Sequence, residues 1–319
     1  MISDLKGVRC VVTGGAGVIG KELLDILRQA QGIVLSIDKN PLPEDFNTAG
    51  ITHIVKDLSK DALNEIYDFG PEIVFHLAAA FERSKESPDF WGVNWKDNMF
   101  LSHGIADAAH RVDTLRVFVF ASSYLIYSPL LYMSKSLRHD PVYLREDAPV
   151  NPRNITGAAK YYTEKELDFI KEYLRPELRI VSARIYRVYG RGSKDVISRW
   201  VRSALNNEPL DVYNKDNCFD YIYAGDVAEG LYRLAITEAA AGVINLGSGK
   251  SYGVGDVIDT LSSFFDLKIN DRGITENFEN STADIRALRS LTNWQPPTTL
   301  LTGIGQIIEY ERHASQGAQ

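Results

Sequence analysis

Three glycines near the start of the chain, Gly14, Gly17 and Gly20, have the spacing of a turn that can approach phosphate groups. A β-branched run precedes them and predicts a buried strand, and after Gly17 the apolar residues recur at helical spacing, beginning with Val18 and Ile19. In this setting the amides and the positive end of the helix face the phosphates of a dinucleotide. We predict that Gly14, Gly17, Val18 and Ile19 contact this cofactor. The alternative is a strand–helix turn that binds nothing.

An acidic residue farther along supports dinucleotide binding. The apolar run at residues 33–37 ends in Asp38, about 20 residues after the glycines, where a carboxylate accepts hydrogen bonds from the adenosine ribose. Because a carboxylate repels a 2′-phosphate, the combination predicts NAD rather than NADP. The alternative for Asp38 is a solvated acid at a strand end.

Short apolar runs alternate with helical patterns in the first half of the chain. This alternation predicts an α/β fold, a doubly wound parallel sheet (Rossmann fold) with helices on both faces. The length of 319 residues predicts two domains, or one large α/β domain with a smaller partner. The runs are residues 8–12, 33–37, 53–55, 72–77, 116–121 and 179–185.

The composition argues against several classes of function. With 35 basic and 42 acidic residues, the net charge of −7 does not suit a binder of nucleic acid or of anionic membranes. No apolar run is long enough to span a membrane. Cys10 and Cys218 imply neither a disulfide framework nor a thiolate site, and no metal is predicted. The first strand starts near residue 8 and leaves no room for a signal peptide, so we expect a cytoplasmic protein.

Further candidate cofactor contacts follow the third and fourth runs. The carboxylate of Asp57, followed by Leu58, could accept a hydrogen bond from an adenine amino group, although a helix cap explains Asp57 equally well. Leu77, Ala78 and Ala79 follow the next run, where small residues let a flat ligand lie against the backbone. The alternative for these residues is tight helix packing.

Two hydroxyl groups, Ser122 and Ser123, follow the fifth run. They stand at the carboxyl end of a central strand, which faces the crevice where such sheets bind ligands. The alternative is that the serines cap the strand end.

Short motifs run in order through essentially the whole chain. They are 13–20 (TGGAGVIG), Asp57-Leu58, 76–79 (HLAA), Val93-Asn94, Ser122-Ser123 with Tyr127, 184–190 (RIYRVYG), 220–228 (DYIYAGDVA), 244–249 (INLGSG), Ala283-Asp284 and 293–296 (NWQP). In these motifs the chain resembles the extended short-chain dehydrogenase/reductase family of NAD-dependent nucleotide-sugar epimerases and dehydratases, in a UDP-glucose 4-epimerase-like form. The resemblance implies epimerisation, dehydration or oxidation of a nucleotide-activated sugar through a keto-sugar intermediate. It also implies a homodimer formed by helices over residues 91–110 and 158–174, and it implies that the smaller part of the chain is a C-terminal α/β lobe for the substrate. The predicted boundaries are 1–186 for the NAD-binding domain, with 219–246 returning to it, and 187–218 with 247–319 for the lobe.

The resemblance also assigns catalytic roles. The family uses a tyrosine followed four residues later by a lysine, and here the matching positions hold Thr156 and Lys160. The resemblance implies that Lys160 binds the nicotinamide ribose and that Ser123 forms a hydrogen bond with the reacting oxygen. Threonine does not titrate near neutral pH and is a poor general base, but its hydroxyl can orient substrate or water. We therefore predict Ser123, Thr156 and Lys160 as the catalytic residues.

The missing tyrosine leaves three interpretations. In the first, another residue is the base. In the second, the reaction needs no tyrosine base, as in dehydratases that use an acid or water. In the third, the chain binds NAD without redox activity. The nearby candidates for another base are Tyr127, Tyr132, Tyr161, Tyr162, Lys135 and His139.

The substrate half departs from the family as well. Arg187 stands where the family usually has asparagine, and Phe219 stands where it has an arginine that contacts the diphosphate. We predict Arg187 as a forked cation for phosphate or carboxylate, with Phe219, Asn94 and Tyr127 as the other substrate contacts. A surface arginine is the alternative for Arg187, and a smaller acid is the alternative substrate. A second family arginine is absent near residues 275–278. Possible substitutes are Arg191, Arg199, Arg202 and Arg272.

Overall fold

Strands and helices alternate along the computed structural model, which describes residues 5–61, 63–81, 86–138, 140–273 and 277–316. The strands are β1 (Arg9–Thr13), β2 (Ile33–Asp38), β3 (Ile51–Val55), β4 (Ile73–His76), β5 (Val117–Ser123), β6 (Met133–Ser134), β7 (Tyr143–Leu144), β8 (Arg179–Ile185), β9 (Arg187–Tyr189), β10 (Leu210–Val212), β11 (Cys218–Phe219), β12 (Tyr221–Tyr223), β13 (Gly242–Leu246), β14 (Tyr252–Gly253), β15 (Ile269–Asp271) and β16 (Phe278–Ala283). The α-helices are α1 (Val18–Gln29), α2 (Asn64–Phe69), α3 (Phe90–Asn94), α4 (Leu101–His110), α5 (Pro129–Tyr132), α6 (Ile155–Phe169), α7 (Val196–Leu205), α8 (Ala224–Ile236), α9 (Val254–Ser262), α10 (Arg286–Thr292) and α11 (Leu300–Gln316).

Seven of the described strands form one parallel sheet in the order β13-β8-β5-β4-β1-β2-β3. Each predicted apolar run contributes a strand, and β13 adds an edge. The chain runs outward from β1 to β3 and then crosses to β4 on the other side of β1. This reversal opens a crevice at the carboxyl ends of β1 and β4, where open α/β sheets bind ligands. The predicted doubly wound parallel sheet is confirmed.

Strand β1 shows why the sheet carries helices on both faces. Cys10 and Val12 pack with α1 and α8, whereas Val11 packs with α4 and α6. All three side chains are fully buried. Successive residues of a strand point to opposite faces, so a strand covered on both sides needs a continuous apolar run.

The two long helices predicted over residues 91–110 and 158–174 each contain a π-helical turn. The first turn, Trp95–Phe100, joins α3 to α4. The second, Ile170–Leu174, extends α6. The two helical stretches lie side by side on one face of the sheet.

A separate apolar core holds the smaller lobe together. It gathers α7, α9 and α11 with short strands, and Trp200, Val257 and Ile304 are among its buried side chains. Strand β16 pairs with β11, β6 and β7 and ties this lobe to the segment after β5. The predicted domain boundaries remain a prediction.

The described residues contain no helix that is long and apolar enough to cross a membrane. In the same residues, no group of His, Cys, Asp and Glu is arranged to hold a metal ion, and both cysteines are free. The cytoplasmic location remains a prediction.

Candidate active site

The glycine turn after β1 leaves the start of α1 open. Gly14 adopts φ +79°, and a Cβ there would lie 2.7 Å from the amide nitrogen of Ala78. A Cβ at Gly20 would collide with the carbonyl of Gly14, so both positions need glycine. Gly17 caps α1 with no side-chain hydrogen bond, and no acidic residue stands in the first turn. The amide groups at this end of α1 can therefore face an anion.

Asp38 is held at the mouth of the same crevice. Its Oδ2 accepts from the N–H of Ala16 at 3.1 Å, and its Oδ1 accepts from the N–H of Asn40 at 2.9 Å. These bonds tie the carboxylate to the glycine turn. The cleft beside it is lined by most of the predicted cofactor contacts: Gly14, Gly17, Asp38, Asp57, Leu58, Leu77, Ala78 and Ala79. Val18 and Ile19 lie in the first turn of α1 outside this lining, and Lys160 lies on α6.

Asp57 forms hydrogen bonds within its own turn. Its Oδ1 accepts from the N–H and the hydroxyl of Ser59, at 3.2 and 2.6 Å. The hydroxyl bond is the main reason that the pKa of Asp57 lies well below its usual range, with help from Lys60 and Lys96. The turn-capping interpretation fits this geometry, and the adenine contact remains a prediction.

One residue that the sequence reasoning missed, Asn98, fixes the loop after β4. Asn98 pairs with both backbone groups of Ala80, accepting from its N–H at 2.8 Å and donating to its carbonyl at 3.0 Å. Asn98 also donates to Oδ1 of Asn94 at 2.8 Å, so Asn94 lies buried behind this loop. Asn98 stands four residues after the predicted Asn94 on one helical stretch, and that spacing could have revealed Asn98.

A series of hydrogen bonds between buried polar side chains also contacts the loop after β4. Oγ1 of Thr13 lies 2.7 Å from Nδ1 of His76, and Nε2 of His76 lies 2.9 Å from Oγ of Ser102. The N–H of Ala78 donates to Oγ1 of Thr13 at 3.3 Å. Burial lowers the pKa of His76 to about 3, so the ring is neutral at physiological pH.

The three predicted catalytic residues lie around one junction between β5 and α6. Thr156 and Lys160 are one helical turn apart on the buried face of α6. Gly157 packs against the carbonyl of Leu125, and the N–H of Leu125 donates to Oγ of Ser123 at 3.2 Å. Nζ of Lys160 lies 4.8 Å from the ring centre of Phe120, and burial lowers the pKa of Lys160 to about 8.

A carboxylate occupies the start of α6. Oε1 of Glu86 accepts from the hydroxyl of Thr156 at 2.7 Å and from its N–H at 3.1 Å. Oε2 of Glu86 accepts from the N–H of Ile155 at 2.9 Å. No pattern in the sequence pointed to Glu86, because it lies 70 residues before Thr156.

The phenols proposed as alternative bases lie away from this junction. Tyr127 is completely buried and donates to Oδ1 of Asn245 at 2.6 Å, and burial raises its pKa to about 12. The structure therefore places Tyr127 in the core, where it has no surface to offer a substrate. Burial likewise raises the pKa of Tyr132 to about 12. Tyr161 and Tyr162 are on α6 outside its buried face, Lys135 is exposed, and His139 lies outside the described residues.

Arg187 sits in a charged cluster built by β9, β16 and the segment before α6. Its guanidinium carbon lies 3.8 Å from the ring centre of Phe219, and its Nη2 donates to Oε2 of Glu279 at 3.1 Å. Arg153 donates to the same oxygen at 2.5 Å, and the hydroxyl of Tyr124 donates to Oε1 at 3.2 Å. Glu279 is buried, whereas 34% of the Arg187 side chain is exposed. Two guanidinium groups share one carboxylate, which leaves one positive charge in excess.

The other candidate arginines are committed to the scaffold. Arg191 forms an ion pair with Glu22 of α1, Arg202 with Glu311 of α11, and Arg272 with Asp211 of β10. Arg199 stands on the exposed face of α7. Residues 274–276, beside the place of the second family arginine, lie outside the described residues.

Comparison with known proteins decides the family. The sequence model of the NAD dependent epimerase/dehydratase family matches residues 10–247. The chain belongs to this family. The match confirms the resemblance seen in the motifs, and it makes NAD the cofactor.

Relatives of this family cover nearly the whole chain. A putative UDP-glucose 4-epimerase from Methanocaldococcus jannaschii is 26% identical over 95% of this chain and 98% of that protein. UDP-glucuronic acid decarboxylase 2 from Arabidopsis thaliana is 27% identical over 98% of this chain and 70% of that protein. The structure of MoeE5 in complex with UDP-glucose and NAD aligns with a TM-score of 0.82 and 25% identity, covering 96% of this chain and 99% of that one.

The residues present fit NAD. The open start of α1 suits the pyrophosphate, and the Asp38 carboxylate suits a ribose with free hydroxyls. Ala78 and Ala79 line the same cleft.

Proposed function

We propose that this chain modifies a UDP-activated sugar through a keto-sugar intermediate, using NAD. The observation that carries the proposal is the order of the sheet: the NAD cleft follows β1 and β4, β5 lies next to β4, and Ser123 ends β5, against which α6 with Thr156 and Lys160 packs. The names of the relatives, a UDP-glucose 4-epimerase and a UDP-glucuronic acid decarboxylase, support a UDP-sugar as the substrate class.

Bound NAD supplies an acceptor for hydride. Lys160 provides a positive charge at the junction, where its ammonium can hold a ribose hydroxyl of the cofactor. Its pKa near 8 keeps the ammonium mostly protonated at neutral pH. The hydroxyl of Ser123 orients the reacting sugar oxygen, and Thr156 donates to or accepts from the same region.

Arg187 is proposed as the anchor for the sugar diphosphate. The family arginine expected at position 219 is a phenylalanine here, and the Arg187 guanidinium lies directly over that ring. The excess positive charge of the cluster around Glu279 can attract phosphate oxygens, and the exposed part of Arg187 can donate to them. The cation–π contact with the neighbouring Phe219 ring fixes the orientation of the guanidinium.

The active form is proposed to be a homodimer. Large aromatic side chains are exposed on the two adjacent helical stretches 90–110 and 155–174, and such a patch marks an interaction surface. A symmetric pair would bury it by a four-helix arrangement. The exposed aromatics are Trp91, Trp95, Phe100, Phe169 and Tyr173.

The experiment begins with cofactor binding. Purified protein is titrated with NAD and with NADP, and the Asp38→Asn variant is compared with Asp25→Asn, which alters a surface pair with Arg28 on α1. We expect NAD to bind more tightly than NADP, and we expect about tenfold weaker NAD binding in Asp38→Asn because a charge-assisted hydrogen bond is lost. Asp25→Asn should bind like the wild type.

The second stage tests the substrate. The NAD-loaded protein is incubated with UDP-, GDP-, CDP- and dTDP-sugars and with small 2-hydroxy acids, and products and absorbance at 340 nm are recorded. Conversion of a UDP-sugar supports the proposal. Tight NAD binding with no sugar changed would instead support a non-catalytic NAD-binding protein, and reduction of NAD by a small acid alone would support the alternative dehydrogenase.

A further inference from the structure

The hydroxyl of Thr156 is coupled to a carboxylate at the point where the family has its tyrosine. Thr156 donates to Oε1 of Glu86 at 2.7 Å. A hydroxyl carries one donor and two acceptor lone pairs, so Thr156 can accept a hydrogen bond from a second group while it donates to Glu86. Only 4% of Thr156 is exposed, which shields this hydrogen bond from bulk water.

Capping of α6 does not by itself explain all the hydrogen bonds that the Glu86 carboxylate accepts. The cap position is filled by Asn154, whose side chain accepts from the N–H of Gly157 at 2.9 Å. Glu86 comes from the distant segment before α3 and binds two further amides as well as the hydroxyl. The hydroxyl bond is the part of this geometry that a cap does not require.

The surroundings favour Glu86 over the phenols as a proton acceptor. Thr156 lies one turn from Lys160 and packs beside the Ser123 loop through Gly157. Tyr127 and Tyr132 are buried, and burial makes each of them a weaker acid. The buried carboxylate behind Lys160, Glu164, is bound on both oxygens by Arg184. Glu86 is bound by no guanidinium or ammonium among the contacts of the described residues.

We propose that Glu86 takes the proton of the reacting sugar hydroxyl through Thr156, in place of the family tyrosine; this rests on the function proposed above. The sugar O–H bond breaks and its proton passes to Oγ1 of Thr156, while the proton of Thr156 passes to Oε1 of Glu86. The hydride of the same carbon leaves to the NAD that the enzyme binds, and a keto sugar and a protonated Glu86 remain. The reverse transfer returns the proton to the alkoxide when hydride is returned.

The test compares Glu86→Gln, Thr156→Val and Thr156→Ser with Asn154→Ala, which removes the cap of the same helix but no ionisable group. NAD affinity and the thermal unfolding midpoint report on binding and folding without turnover. Steady-state rates over pH 5–9 with a converted UDP-sugar report on proton transfer. Glu86→Gln and Thr156→Val should bind NAD within about twofold of the wild type and lose kcat by roughly 100-fold or more.

Three further results are expected. The acid side of the kcat–pH profile should disappear in Glu86→Gln, Thr156→Ser should regain most of the rate, and the double variant Glu86→Gln with Thr156→Val should be no slower than either single variant. The carboxyl carbon NMR signal of Glu86, identified by its absence in Glu86→Gln, should change its chemical shift in Thr156→Val because the hydrogen bond from the hydroxyl is lost, a readout that needs no turnover.

The outcomes separate this proposal from the function on which it rests. A wild-type protein that binds NAD but converts no nucleotide sugar would overturn the proposed function, and the proton route with it. An active wild type whose Glu86→Gln variant keeps its kcat and pH profile, or loses rate only as much as Asn154→Ala, would overturn the role of Glu86 alone.

Discussion

The guanidinium carbon of Arg187 lies 3.8 Å from the ring centre of Phe219. Phe219 is the residue that the motif resemblance aligns with an arginine of the family. The contact with Arg187 brings a positive charge next to position 219, and the proposal that Arg187 anchors the diphosphate rests on it. Glu279 accepts a hydrogen bond from the Arg187 guanidinium, and Arg153 donates to the same carboxylate. An arginine that is stacked on a ring and paired at one nitrogen keeps its remaining donors in a fixed direction.

Arg187→Ala should raise KM for a UDP-sugar by about 10- to 100-fold, because a charge-assisted hydrogen bond to phosphate contributes roughly 1.5–3 kcal/mol. The value of kcat should change less, since the anchor is remote from the reacting carbon. Steady-state kinetics measure both constants. The matched control is Arg272→Ala, which removes an exposed arginine paired with Asp211 on the same lobe. Equal KM values for Arg187→Ala and the wild type would contradict the anchor.

Gly14→Ala should destabilise the fold by about 1–3 kcal/mol, because φ is +79° and the new Cβ would lie 2.7 Å from a backbone nitrogen. The same change should weaken NAD binding by moving the turn. Denaturant unfolding and NAD titration measure the two effects. Gly104→Ala in α4 is the control: its Cβ would meet Leu63 at an ordinary 3.6 Å, and we expect a gain of about 0.5–1 kcal/mol.

Lys160→Met should stabilise the fold at pH 7 while it impairs NAD binding. Burial lowers the pKa of Lys160 from 10.5 to about 8, so between these values the unfolded chain binds more protons and wild-type stability rises with pH. The charged form therefore costs about 3 kcal/mol at pH 7, and the advantage of methionine should fade between pH 8 and 10.5. Urea unfolding at several pH values measures it.

Lys165→Met is the matched control for this prediction, because Lys165 is an exposed residue of the same helix that pairs with Asp168. It should show no such pH-dependent gain. A Lys160→Met protein that is less stable than the wild type at pH 7 would mean that the ammonium has stabilising partners stronger than its contact with Phe120.

Trp95→Glu and Phe169→Glu should each convert a homodimer to monomers. Their side chains are 59% and 54% exposed on the patch proposed to pair, and a charge buried there would lose its hydration. Light scattering after gel filtration measures the mass. Leu130→Glu is the control, since Leu130 is 83% exposed on α5, away from the patch. A monomeric wild type at micromolar concentration would refute the homodimer.

The fold and the cofactor half of the site were predictable because their signals are local. Buried strands need continuous apolar runs, and the phosphate turn needs glycine within a few residues of β1. Asp38 closes the second strand at a spacing set by one strand–helix–strand unit. The order of the motifs predicted the family, and the match to the family model confirmed that prediction.

The tertiary structure decided the rest, because those contacts join residues that are far apart in the chain. The hydrogen bond between Thr156 and Glu86 joins residues 70 positions apart, and the one between Arg187 and Glu279 joins residues 92 positions apart. No local sequence pattern predicts either contact. Tyr127 followed the family motif in sequence, yet packing turned its hydroxyl toward Asn245 in the core. Sequence alone thus determined the sheet, the glycine turn and the cofactor, whereas the hydrogen bonds that Glu86 and Glu279 accept became visible only once distant segments had packed together.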